Sequence, residues 1–169
     1  FCEQFGKIDI LVNNAGILYS APLVSFSENG LKKHDVRMWD KVISTDLNSV
    51  FYMTVSVVEK MLLKRTKGGI VNISSVSASG NAGQSAYSAA KAAVAAITQS
   101  LAEELSGEKI WVNAVAPSIL DTPANRAAMP NAPHEIWPAT EAVARTIVFL
   151  ASPSNDVTRG AVVPVYGAA

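Results

Sequence analysis

Four short runs rich in β-branched residues, Ile8 to Val12, Ile70 to Ile73, Ile110 to Ala116 and Ala161 to Val165, recur along the chain with helical segments between them. This alternation narrows the available folds more than any other feature. Runs of this kind suit strands buried on both faces, and strands joined through helices lie parallel. The expected architecture is α/β: a Rossmann-like, doubly wound parallel sheet of about four strands with flanking helices, one domain over 1–169, with ligands at the carboxyl ends of the strands.

The connecting segments carry helical signals. Between Met38 and Lys64, apolar residues including Trp39, Val42, Ile43, Leu47, Val50 and Phe51 recur at spacings of three and four, which predicts one long amphipathic helix. From Gln84 to Leu105 the chain is alanine-rich with no Gly or Pro, and Gly107 lies just beyond, where a helix would stop. A third helix is expected over Thr140 to Leu150, with Thr140 as its cap. Two stretches read as loops: the Ser/Pro-rich one before Met38, and Asp121 to Pro138, whose prolines suggest a mobile lid with at most a short helix.

Composition excludes several functions. Fourteen basic residues balance fourteen acidic ones, so no net field draws in nucleic acid or an anionic membrane, and neither is expected as a partner. The single cysteine, Cys2, cannot form an internal disulfide, and no Cys/His cluster has metal-ligand spacing; no metal and a cytoplasmic setting are expected. Phe1 is not an initiator methionine, and Phe1 to Gly6 reads like the tail of a helix under way, so further sequence is expected upstream.

Four features sit just past the predicted strand ends or on the helix that follows. Asn13-Asn14-Ala15-Gly16 lets backbone approach a ligand closely, although a plain turn has the same composition. Ser75 closes the second strand, where a serine can equally be a simple cap. Tyr87 and Lys91 stand four apart on the alanine-rich helix and so share a face. A phenol beside an ammonium is expected to have its pKa lowered toward neutrality, which suits proton transfer. Pro117-Ser118-Ile119-Leu120-Asp121-Thr122 ends the third strand.

In this order and at these separations, the segments resemble the short-chain dehydrogenase/reductase family over nearly the whole chain. The match runs through Asn-Asn-Ala-Gly, Ser-Ser-Val-Ser, Tyr-x-x-x-Lys and Val-Asn-Ala-Val-Ala-Pro, and on to Phe149-Leu150-Ala151-Ser152 and Thr158-Arg159-Gly160. The resemblance implies an NAD- or NADP-dependent oxidoreductase that interconverts a ketone and a secondary alcohol, with a small carbonyl or alcohol substrate. It implies that Tyr87 is the acid/base and also contacts the cofactor, that Ser75 steadies the substrate oxygen, and that Lys91 tunes Tyr87 and binds the nicotinamide ribose. Asn14, Ala15 and Gly16 match the loop beside the cofactor ribose, and Leu120 and Thr122 match positions at the carboxamide end. It also implies a homo-oligomer, dimer or tetramer, built on the two long helices, where Ala89, Ala93 and Ala96 permit close packing.

There are departures. Asp46 stands where the family carries an asparagine that supports a proton-relay water, and it places a charge near Lys91. Ser118 replaces a glycine after Pro117. Ser75 precedes Tyr87 by twelve positions rather than thirteen, which keeps Ser74 as a lesser alternative. The loop from Gly16 to Trp39 is longer than usual, and the family's glycine-rich nucleotide-binding start has no counterpart, which would leave Ile8 to Val12 as an exposed hydrophobic edge. These departures motivate a competing reading, a non-catalytic relative kept as a binding or assembly module. An extended-class epimerase, which shares Tyr-x-x-x-Lys, fits poorly with the short tail after Leu150. His34 and His134 read as solvated loop residues, and Trp39, Trp111 and Trp137 as core or interface anchors, with Trp137 also a candidate to line the substrate pocket.

Overall fold

The structure, a computed structural model, describes residues 2–168. Its main sheet has four parallel strands: β1 (Ile10–Asn13), β4 (Gly68–Ile73), β5 (Ile110–Pro117) and β6 (Val162–Val165), in the order β1-β4-β5-β6. Between β1 and β4 lie a small antiparallel hairpin of β2 (Val24–Ser27) and β3 (Gly30–Lys33), then α2 (Val36–Ile43), a π-helical turn (Ser44–Asn48) and α3 (Ser49–Leu63). The crossover from β4 to β5 carries α4 (Ser85–Glu104), and that from β5 to β6 carries α5 (Pro123–Ala128) and α6 (Thr140–Ala151). The four-residue α1 (Cys2–Phe5) agrees with the helix tail expected there, save Phe1, which lies outside the described residues.

Side chains alternate across the sheet and fill two cores, as expected for a doubly wound arrangement. On one face Ile70, Ile110 and Val112 pack against Val57 and Met61 of α3 and Ala102 of α4. On the other, Val71 and Val115 meet Leu150 of α6, with Ile147 and Val163 beside them. Both faces are therefore covered by helix, and all four strands point their carboxyl ends the same way.

A polar chain runs through the first core. Asn13 and Asn72 are paired neighbours in β1 and β4, and Asn13 Nδ2 donates to Asn72 Oδ1 (2.8 Å) and to Thr54 Oγ1 (3.0 Å). Asn72 Nδ2 donates in turn to Thr98 Oγ1 of α4 (2.9 Å). Buried amides must be satisfied, and here their partners lock both helices to the sheet in one register. Nothing in the spacing of these asparagines predicts this part; its one trace in the sequence is a polar residue at matching places in two otherwise apolar strands.

Several expectations need correcting. The helix expected from Met38 to Lys64 runs unbroken from Val36 to Leu63, but with a π turn at Ser44–Asn48 that the spacing did not reveal and that carries the buried Asp46. The Ser/Pro-rich stretch is not simply a loop but contains the β2–β3 hairpin, with Phe26 paired opposite Leu31. By contrast, the Asp121–Pro138 stretch holds a short helix as expected, α5, which Thr122 caps by accepting from Asn125 N (3.2 Å). Thr140 is the first residue of α6 rather than its cap, which is Ala139. Pro117 closes β5 in register with Val165 instead of ending the strand before it. His34 and His134 are half-buried and bonded to the carbonyls of Ala21 and Met129 rather than solvated. Trp137 is buried beside the His134 ring, as expected of a core anchor, and Trp39 is 38% exposed.

β1 forms one border of the sheet, with Ile10 and Val12 substantially exposed, as the sequence led us to expect. Its attachment to β4 depends on Gly68, where a Cβ would run into the Asp9 carbonyl oxygen and press on the Met61 methyl. Gly68→Ala is expected to lower stability by about 3 kcal/mol, since the close neighbour is backbone and cannot move aside. Urea denaturation should show the loss, and hydrogen exchange should show protection falling first in β1.

Candidate active site

Three strand ends and one helix build the site. Past β4 the chain places Ser74 and Ser75, and these two hydroxyls do different things. Ser74 Oγ, fully buried, donates to the Lys91 carbonyl (2.9 Å) and so staples α4 to the strand end. Ser75 Oγ accepts from Ser77 N (3.1 Å), capping a short 3₁₀ turn, and it stands near enough to the Tyr87 phenol to favour its anion. Ser74 is thus committed to structure, and Ser75 stands on the Tyr87 side of the strand end.

On α4, Tyr87 and Lys91 stand one turn apart, with Lys91 Nζ 5.5 Å from the centre of the Tyr87 ring. Lys91 is 4% exposed. Its ammonium donates to the Ile73 carbonyl (2.9 Å) and faces Asp46 Oδ2 at 3.4 Å. Asp46 is itself fully buried, and its Oδ1 accepts from the backbone N–H of Ile17 (2.8 Å). Gly16 lies against this pair: a Cβ there would stand 3.0 Å from Asp46 Oδ2 and 3.4 Å from Lys91 Nζ. The loop of Asn14, Ala15 and Gly16 therefore passes over the ion pair with its side chains and backbone open to solvent, as a surface for a close-lying ligand would.

Leu120 and Thr122 occupy the turn between β5 and α5. The Leu120 carbonyl and the Thr122 hydroxyl both accept hydrogen bonds from Asn125. The structure therefore brings Ser75, Tyr87, Lys91 and the Gly16 loop together, while Leu120 and Thr122 are tied to Asn125 in the turn after β5. Ser118, which replaces a glycine, turns its hydroxyl to the Tyr166 carbonyl (3.0 Å).

The electrostatics reverse one expectation. Lys91 was expected to bring the Tyr87 phenol down toward neutrality. Instead burial pushes it above its ordinary value; the nearby Ser75 hydroxyl pulls it down, and the Asp46 charge adds to the rise. Burial likewise lowers the Lys91 ammonium, while Asp46 opposes that fall through its charge and hydrogen bonding. The physical reason is that burial strips solvation from the phenolate, the largest effect, and the nearby Asp46 charge disfavours that anion further.

A family model described as short chain dehydrogenase matches residues 1–133. The 3-oxoacyl-[acyl-carrier-protein] reductase FabG of Thermotoga maritima is 40% identical over 174 residues, covering 98% of this chain and 67% of the relative. The chain belongs to the short-chain dehydrogenase family. A second relative in that family, the 2-dehydro-3-deoxy-D-gluconate 5-dehydrogenase of Dickeya dadantii, is 33% identical, with 97% of this chain and 66% of the relative covered. The chain thus spans about two thirds of the length of these short-chain dehydrogenases. Among solved structures, that of ElxO with NADP bound superposes with a TM-score of 0.85 at 28% identity, covering 98% of this chain and 68% of the other. 4-Hydroxyisoleucine dehydrogenase complexed with NADH gives 0.81 at 27%, covering 98% and 71%.

Proposed function

We propose that this protein is an NAD(P)-dependent oxidoreductase that interconverts a ketone and a secondary alcohol, in the manner of a 3-oxoacyl reductase or an alcohol dehydrogenase. The observation that carries the reading is the convergence of a strand-end hydroxyl, a phenol and a buried, paired ammonium beside a glycine loop at one edge of a parallel sheet. Ser75 donates a hydrogen bond to the substrate carbonyl oxygen, and Tyr87 delivers the proton that oxygen takes up. Bound nicotinamide supplies the hydride in reduction and receives it in oxidation. Lys91 and the Asn14-Ala15-Gly16 loop would hold its ribose, and Leu120 and Thr122 the carboxamide end; the open backbone at Gly16 is compatible with a flat ligand lying across it.

The test uses the protein from its complete reading frame, mixed with NADH or NADPH and a panel of ketones that includes a 3-oxoacyl thioester. Nicotinamide absorbance should fall with at least one pair, and no turnover with either cofactor across the panel would overturn the reading. A cytoplasmic setting is part of the same proposal; no helix among the described residues is long and apolar enough to cross a membrane.

The proposal also includes a homo-oligomer built on α3 and α4. Phe51, Val55 and Val58 of α3 and Ala96, Ile97 and Leu101 of α4 line an apolar groove of about 450 Å³, with Phe51 and Val55 half exposed. A dimer or tetramer that pairs these helices would cover it. Light scattering should give a multiple of the monomer mass, and Phe51→Glu should shift it to the monomer.

A further inference from the structure

The two oxygens of Asp46 each hold something different, and this is the feature of the site that the proposed reaction leaves unused. Oδ1 accepts from Ile17 N (2.8 Å), in the loop that crosses the site. Oδ2 has no hydrogen bond of good geometry and faces Lys91 Nζ at 3.4 Å. A carboxylate with no solvent exposure is expensive unless it is paired, and an Asp in mid-helix is otherwise a poor choice. The π turn that carries the buried Asp46 is the long helix's one departure from α-helical form among the described residues, so the backbone is built around the residue.

We infer that Asp46 is a positioning residue: it is the buried counter-ion of Lys91, and it clips the Gly16 loop to that lysine so that the ribose-facing loop and the ammonium move as one unit. The two roles divide between its oxygens. The carbonyl oxygen of an asparagine can still accept from Ile17 N, but it carries no charge. Asp46→Asn therefore removes the counter-ion and leaves the clip, whereas Asp46→Ala removes both.

The charged and titratable groups in mutual reach are Tyr87 and Lys91 on α4 and Asp46 on the π turn. The β4 end supplies the Ile73 carbonyl and the Ser75 hydroxyl, and residues 14–17 supply no charged side chain. Removing the one anion makes it easier for the Tyr87–Lys91 pair to lose its first proton, whichever of the two groups gives it up. The sign is therefore fixed: without Asp46 that deprotonation moves to lower pH.

This inference rests on the oxidoreductase reading only for its kinetic half. For the other half, the lysine and tyrosine side chains are labelled with carbon-13 in the complete protein. NMR follows the signals of Lys91 and Tyr87, assigned through Lys91→Met and Tyr87→Phe. In Asp46→Asn the first titration of the pair should begin about one pH unit lower than in the wild type, the scale expected of one nearby charge in a partly polarisable interior. Coincident titrations would overturn the counter-ion role. In the kinetic half, Asp46→Ala should raise the KM for the dinucleotide about tenfold, which is the worth of one charge-assisted hydrogen bond, and Asp46→Asn should recover most of that loss. A wild-type KM in Asp46→Ala would overturn the clip, and so would an Asp46→Asn value as poor as that of Asp46→Ala. If the wild type turns over no substrate, the oxidoreductase reading fails, and the titration still decides whether Asp46 and Lys91 are a functional pair.

Discussion

Tyr87→Phe should lower kcat by about 10² to 10⁴, the contribution usual for a positioned acid or base, while leaving KM for the dinucleotide little changed. The change deletes one oxygen from a half-buried ring, so the packing of α4 on the sheet survives and the loss reports chemistry rather than folding. Its pH dependence carries a further check. Burial and the Asp46 charge hold the phenol above its ordinary value, with Ser75 pulling the other way. At neutral pH the group is therefore protonated and ready to donate, which favours carbonyl reduction. Alcohol oxidation needs the phenolate and should rise with pH through the alkaline range, while reduction falls over the same interval. Initial rates in both directions across pH, in the wild type and the variant, would test this. A Tyr87→Phe enzyme with near wild-type kcat would remove Tyr87 from the chemistry.

Much of this arrangement could be read from the sequence because the signals involved are local. The four β-branched runs became the four strands of the main sheet, with ends shifted by a residue or two, since a buried parallel strand needs little besides apolar, branched side chains. The alanine-rich segment became α4 over nearly the span expected, and its four-residue spacing put Tyr87 and Lys91 on one side. What escaped depends on tertiary context. The π turn at Ser44–Asn48 leaves no periodic signature, because the residues around it keep helical spacing. Asp46 was recognised as a charge near Lys91, but its bond to Ile17 N connects segments 29 positions apart in sequence. The same applies to Asn13, Asn72 and Thr98, whose partners become visible only when the strands are in register. The reversed direction for Tyr87 has a related origin. Counting only the lysine one turn away left out the burial of the phenol, which is the larger effect, and the aspartate charge that adds to it.

Lys91→Met should be the most damaging single change in the site, affecting both stability and activity. The substitution keeps the length and apolar stem of the side chain but deletes the ammonium that faces Asp46 and donates to the Ile73 carbonyl. Breaking a buried pair from one side strands the other charge, at a cost of about 3–5 kcal/mol. A single domain has only about 5–15 kcal/mol in hand, so the variant should unfold at markedly lower urea. Adding Asp46→Asn to it makes the pair neutral while keeping the acceptor for Ile17 N, so the double variant should regain most of the lost stability. That recovery would appear as a strong favourable coupling in a double-mutant cycle. Activity should follow a different course. Lys91 also acts in the proposed reaction, as the ribose contact and as a partner of Tyr87, and neither role returns with the neutral pair. The double variant should therefore be stable and still nearly inactive in the nicotinamide assay. If stability and turnover returned together, Lys91 would be only a structural partner of Asp46; if the single variant were as stable as the wild type, the buried ion pair itself would be refuted.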